Sequence, residues 1–509
     1  MITFEQQPGI KTSFAAGTLA LLALVTGCRV GPKYHAPAPP AITAPNYKES
    51  TVNFHDTEGW KVASPQDTML RGNWWEIFNE PELNTLEEQL NINNENIKIA
   101  FQNFMEARAL IAEARAQYWP TITANPSWSR SKSSANLHNS STANVGSTST
   151  LWSAPLDISW EPDLWGKIRN QVHQAQYSAQ VSAADLENER LTEQASLAQF
   201  FFEIRGQDEL QRILNDTVAY DQKALDIAQG AYTAGTGDYS SVVGARATLQ
   251  SAQSSAINVG LARAQYEHAI AVLLGKIATD FSIPVRPMIY TAPPIPTGVP
   301  SQLVERRPDI SAAERTLAAA NAEIGIGYGA FFPQITISAV GGFESSLFKH
   351  LFDWPSRVWS IGPSASQVIF DGGLYRAALH QYQATYNSDL ATYRQTVLTS
   401  FQQVEDSLAA TRIYSQQVIK QQDAVKSSQE LLVLETHRFD TGIDPYIDVI
   451  TAQTTLLSDQ VTLNTLQVEE MTSAVQLVQA LGGGWDRSQL PTPAQVNAKV
   501  PSADYKRQQ

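Results

Sequence analysis

The chain repeats itself, and that most narrows what it can fold into. Tyr232-Thr233-Ala234-Gly235-Thr236-Gly237-Asp238-Tyr239 returns 207 residues later as Phe439-Asp440-Thr441-Gly442-Ile443-Asp444-Pro445-Tyr446. Val242, Ala245 and Leu249 fall on Val449, Ala452 and Leu456 at the same offset, and Gly166 and Arg169 fall on Gly373 and Arg376. Upstream, Tyr118-Trp119-Pro120-Thr121-Ile122-Thr123 matches Phe331-Phe332-Pro333-Gln334-Ile335-Thr336 at 213 residues, so the first copy has a longer loop. Four matches in order imply one supersecondary unit used twice. The expected division is 66–282 and 301–484, joined by a Pro-rich linker over 283–300.

Each unit reads as helix, strand, strand, long helix, turn, long helix. Strands are expected at about 120–131 and 148–162, then at about 333–344 and 357–370. Ile122, Ala124 and Trp128 alternate with Thr121, Thr123, Asn125, Ser127 and Ser129. Trp152, Ala154, Leu156, Ile158 and Trp160 alternate with Ser153, Asp157, Ser159 and Glu161. Such alternation with aromatics near the ends suits a lipid-facing barrel strand, although a soluble sheet with one wet face shares the period. The Ser/Thr/Asn-rich connections Ser131–Thr150 and Glu344–Ser356 suit loops facing the outside. Four strands cannot close, and an open edge in lipid costs several kcal/mol per unpaired backbone group. The strands must therefore be pooled, and three copies give about twelve.

Gly166–Tyr232 and Gly373–Phe439 contain no proline. Helices of this length span roughly 100 Å. Leu390, Val397, Val404, Thr411, Val418, Val425 and Leu432 recur every seven residues, as do Val449, Leu456 and Leu463 on the return. A strict seven-residue beat implies left-handed supercoiling against neighbours. A coiled-coil rod would share this beat, but a rod has no use for barrel strands.

A net charge of −14, from 36 Lys and Arg against 50 Asp and Glu, argues against nucleic acid as a partner. Residues 1–27 read as a secretory signal, with Lys11 before the apolar run Phe14–Val25. Val25-Thr26-Gly27-Cys28 resembles a lipobox, and Cys28 is the only cysteine, so lipidation explains a thiol that cannot form an internal disulfide. Residues 28–65 read as a lipid-anchored Pro/Ala tether, and 485–509 as a loosely ordered tail. No stretch after Cys28 approaches eighteen apolar residues. Nucleophile elbow, P-loop and dinucleotide fingerprint are lacking, and the eight histidines are not at metal-ligand spacing, so neither enzyme, cofactor nor metal site is expected.

Several motifs together resemble the TolC/OprM family of outer-membrane efflux channels, in its lipoprotein (NodT-type) branch. They are Trp74-Trp75-Glu76-Ile77-Phe78-Asn79-Glu80-Pro81-Glu82-Leu83, Trp160-Glu161-Pro162-Asp163-Leu164-Trp165-Gly166-Lys167-Ile168-Arg169, Phe370-Asp371-Gly372-Gly373 and Glu305-Arg306-Arg307-Pro308-Asp309-Ile310. The Phe439–Tyr446 turn completes the set. The resemblance implies a mainly α fold with β, in which a homotrimer forms a 12-stranded β-barrel continued by a periplasmic α-helical barrel. It further implies a periplasmic adaptor and an inner-membrane pump, probed by the tips at Gly235, Asp238, Tyr239, Gly442, Pro445 and Tyr446, with a pump of the resistance-nodulation-division type. Drugs or other small molecules would pass unaltered, and the tips would open like an iris. Ile447 aligns with an apolar ring of the family, whereas Thr451 stands where an acid is frequent. Asp444 or Asp448 is the substitute expected for a negative ring. The other readings are a TolC-type conduit for protein secretion or metal-ion efflux, and an ordinary porin, against which the heptad helices argue.

Overall fold

The computed structural model describes residues 29–40, 47–49, 72–134, 147–287, 291–295 and 303–497. Cys28 and the signal segment lie outside them. Five strands form one antiparallel sheet: β1 (Thr121–Ala124), β2 (Ser127–Lys132), β3 (Thr148–Trp160), β4 (Gln334–Ser345) and β5 (Arg357–Ser366). β1 and β2 both pair with β3, which pairs with β4, which pairs with β5. The two repeats therefore meet at the β3–β4 ladder.

The single strand expected over 120–131 is two pieces. Pro126 has no N–H to give, and Pro155 opposite Asn125 has none either, so the ladder there keeps only the Asn125 amide's bond to the Pro155 carbonyl at 3.3 Å. The register does not slip across the break, since Ala124 faces Leu156 and Ser127 faces Ser153. β5 stops at Ser366 instead of running to 370, because its partner β4 begins at Gln334, directly after Pro333.

Register sorts the side chains into two faces. Directly opposed residues share a face. Ile122, Trp128, Trp152, Leu156 and Ile158 align with Ala339, Phe343, Trp359 and Ile361. The other face carries Thr121, Thr123, Ser153, Asp157, Ser159, Ser338, Glu344, Ser360 and Ser364. The apolar face is exposed in the single chain, with Trp359 at 79% and Ile361 at 68%.

Seven helices of 13 or more residues stand among the described residues: α1 (Pro81–Asn93), α2 (Glu95–Ala116), α3 (Lys167–Thr233), α4 (Tyr239–Leu273), α5 (Pro308–Gly329), α6 (Leu374–Asp440) and α7 (Tyr446–Ala480). α3 and α6 each have 67 residues, α4 and α7 each 35, so the duplication holds to the residue. Asp163 starts α3 by accepting from the Ile168 and Arg169 amides at 3.0 Å, and Asp371 starts α6 through Gly373 and Tyr375 at 2.8 Å. The heptad positions Val397, Val404 and Val418 are buried, as are Val449 and Leu456 on α7. No helix among the described residues is long and apolar enough to cross a membrane.

The helices lie side by side in one layer. Near the sheet the order is α2, α3, α5, α6; toward the turns it is α4, α3, α7, α6. Where the two levels meet, Trp74, Phe78, Phe201, Phe202, Ile204, Val475 and Val478 form the main core. Arg205, fully buried, donates to Asp208, Glu82 and the Pro284 carbonyl, while Arg263 donates to Asp208 and the Ile283 carbonyl. The Pro-rich linker is thus fastened to the first repeat at its start.

Both ends of the chain correct an expectation. Residues 29–40 lack regular structure yet are held along the body: the Val30 amide donates to Trp165 O at 3.0 Å, Arg29 to Asn170 at 2.6 Å, and the Tyr34 hydroxyl to Glu314 at 2.5 Å. Gly31, at φ 116°, crosses α5 so closely that a Cβ would lie 2.6 Å from the Gly325 Cα. The region read as a tether is in this stretch a docked strap. The tail read as loose from 485 is ordered through 497. Trp485 is buried, and Val496 closes a cluster with Ala107, Ile111, Ala175 and Ala179.

Candidate functional site: the two helical tips

The α3–α4 and α6–α7 turns lie at the end of the layer remote from the sheet. Each long helix ends by the same device. Gly235 and Gly442 adopt φ 75° and 74°, a left-handed conformation that glycine enters without the Cβ clash. The Thr236 and Gly237 amides then return to Ala231 O at 2.9 and 3.0 Å, and the Ile443 amide to Arg438 O at 2.9 Å. An aromatic pair closes each turn, Tyr232 with Tyr239 at 5.4 Å and Phe439 with Tyr446 at 4.8 Å. Below, Leu225, Val242, Ala245 and Leu249 fix the first hairpin. Val449, Ala452 and Leu456 are buried in the same way in the second.

Charge separates the two tips. Arg438 pairs with Asp444 and approaches Glu435 at 3.9 Å. The residues at the matching first-repeat positions are Ala231, Gly237 and Ala228, so that tip has no such cluster. Carboxylate oxygens of Glu435, Asp444 and Asp448 lie within 4.8 Å of one another. Arg438 already supplies the cation there, and Asp444 holds its guanidinium above the ordinary arginine range. The tip thus carries one cation among three carboxylates.

The sequence candidates are arranged as follows. Asp444 is compensated by Arg438. Asp448 is exposed in the first turn of α7, where the helix dipole favours a carboxylate. Ile447 is 60% exposed, one helical turn from Thr451, whose hydroxyl donates to Ile447 O at 2.9 Å. Ile447, Asp448 and Thr451 thus form one outward strip of α7, opposite the buried Val449 and Ala452. Asp238 precedes α4 without a side-chain capping bond, and Pro445 holds the equivalent place before α7. Sequence reasoning missed Arg438, although its absence from the first repeat at position 231 was a readable signal.

A sheet with one apolar and one polar face, continued by paired long helices, is the arrangement a membrane barrel with a helical extension requires. The family model for outer membrane efflux protein matches residues 86–276 and 299–483. The chain belongs to that family, and it is an outer-membrane efflux channel protein, a conduit and not an enzyme. It is 30% identical over 487 residues to the antibiotic efflux pump outer membrane protein ArpC of Pseudomonas putida, covering 95% of this chain and 98% of that one. Its fold superposes on the Campylobacter jejuni CmeC outer membrane channel with TM-score 0.83 and 23% identity, covering 92% and 97% of the two chains. The open state of the Neisseria gonorrhoeae MtrE outer membrane channel matches with TM-score 0.75 and 25% identity, covering 90% and 99%.

Proposed function

We propose that three copies of this chain close into one tube, a 12-stranded barrel continued by a helical barrel, through which small molecules such as drugs or solvents leave the cell. The observation that carries this reading is the edge of the layer. At every level the same two sides are open: β1/β2, α2 and α4 on one, β5 and α6 on the other. Those sides bear exposed apolar residues, among them Ile99 and Leu110 on α2, Ile257 and Leu261 on α4, and Leu398 and Val433 on α6. A consistent pair of unfilled edges favours a closed ring of copies. The mass of the detergent-solubilised protein tests it: three chains are expected, and a monomer overturns the reading.

In this reading Cys28 carries a lipid, and the strap that follows is held beside the sheet-to-helix junction from Arg29 onward. The tips at Gly235, Asp238, Tyr239, Gly442, Pro445 and Tyr446 meet a periplasmic adaptor, which couples the channel to an inner-membrane pump, of the resistance-nodulation-division type. ArpC's role in an antibiotic efflux pump supports the assignment of cargo. The α7 strip of Ile447, Asp448 and Thr451 lines the closed mouth, which widens as the second hairpin swings outward. Asp448, not the Arg438-paired Asp444, then supplies the negative ring. In planar bilayers Asp448→Asn is expected to lower cation preference several-fold, and Asp444→Asn to change it little while loosening the closed state through the freed Arg438. Equal cation preference in wild type and Asp448→Asn removes the ring.

A further inference from the structure

The outer rim of the sheet carries a chemistry that conduction does not use. On the apolar face the aromatic belt at the loop end consists of Trp128 tilted against Trp152, ring centroids 5.7 Å apart, with Phe343 and Trp359 on the neighbouring strands. Beyond this belt the same face turns basic. Arg130 and Lys132 follow Trp128 at two-residue spacing, so they remain on its side of the sheet. Arg357, level with Phe343 of the belt and two residues before Trp359, adds a cation to the same face on β5. Its guanidinium lies 3.6 Å from the Trp354 ring centroid.

These three cations are exposed, and among the described residues none pairs with a carboxylate. The acids nearby are otherwise engaged: Glu344 takes the Ser153 hydroxyl on the opposite face, and Asp353 pairs with His350 at 2.7 Å. Residues 135–146 contribute no Asp or Glu. At the helix end of the same sheet Lys167 stands 4.0 Å from Glu161, and Arg169 pairs with Asp163 at 3.0 Å. A chain of net charge −14 therefore holds exposed positive charge at the aromatic belt on the loop end of the sheet's apolar face.

We propose that this rim binds the phosphates of an anionic lipid in the outer leaflet, whose acyl chains lie along the apolar face. Aromatic rings sit at the headgroup boundary, so cations one step beyond them stand at phosphate level. Arginine's planar fork suits a phosphate in two-point contact. The proposal rests on the closed-barrel reading in one respect. Closure sets β5 of one copy against β1/β2 of the next, roughly 4.8 Å apart, which brings Arg357 toward Arg130 and Lys132. Three like charges at one seam repel each other until an anion lies between them, so the lipid phosphate also holds the seam.

The test uses the intact protein in mixed micelles, with lipid A bearing both phosphates and its dephosphorylated counterpart as probes. Binding is read by native mass spectrometry, which reports the oligomeric state in the same spectrum. Phosphorylated lipid is expected to bind and raise the melting temperature, dephosphorylated lipid to do neither. The R130Q/K132Q/R357Q variant should bind roughly tenfold or more weakly, and wild-type binding should fall with salt. Equal binding of both lipids, or undiminished binding by the variant, overturns the proposal. The lipid comparison reads out in either oligomeric state, so a monomeric mass would overturn the closed barrel without deciding the rim.

Discussion

Glu87 on α1 is fully buried, and neither carboxylate oxygen has a hydrogen-bond partner. Burial pushes its carboxyl well above the usual range. The protonated form is the one the fold tolerates, so stability is greatest below the unfolded value, about 4.3, and falls as pH rises toward the folded value. Glu87→Leu is expected to stabilise by about 1–3 kcal/mol at neutral pH and to flatten the dependence of melting temperature on pH between 5 and 8. A steeper dependence in the variant would contradict this. Arg205 is the opposite case, equally buried but met by two carboxylates and a carbonyl. Neither environment was readable in the chain. An acid beside Glu88 on a polar helix looks solvated, and only the packing of α1 against α3 shows otherwise.

The helices were the most legible elements, because a seven-residue beat without proline leaves few alternatives. Their common length of 67 residues follows from glycines at matched positions. Gly442→Ala must place a Cβ at φ 74° and is expected to cost the tip about 1–2 kcal/mol. Gly244→Ala, on α4 with open space around it, should instead stabilise by about 0.5–1 kcal/mol. Hydrogen exchange across 439–446 and 239–250 reads both signs. The strands were less legible at their ends. Pairing, not composition, sets where a strand stops, so Gln367–Phe370 fell outside β5 despite an apolar run. Pro126 was visible, but that the register survives it was not.

At the scale of the molecule, the proposed closed ring turns on the two open sides. Leu261→Asp places a charge on the outer side of α4, where 61% of the leucine is exposed in the single chain. It is expected to remove about 1.5–3 kcal/mol of apolar burial at each seam, converting the solubilised assembly to monomers by light scattering. A trimer as stable as wild type would place the seam elsewhere. The strap and the C-terminal segment belong to this scale too. One read as a tether and the other as a loose tail, since Pro/Ala and polar stretches carry no periodicity. Both are ordered by what they lie against, the strap by α3 and α5 and Val496 by the α2–α3 groove.

The sequence alone determined the duplication, the two-faced strands, the long supercoiled helices and the family, because periodicity and motif order are properties of the chain. Tertiary structure decided which charges are free. Asp444 and Asp448 are equivalent as letters, yet the turn after Gly442 brings only Asp444 onto Arg438. Arg130 and Arg357 lie far apart in the chain, yet register sets both on the apolar face at the loop end of the sheet. Compensation of a charge depends on distances between atoms remote in sequence, and no local pattern encodes those distances.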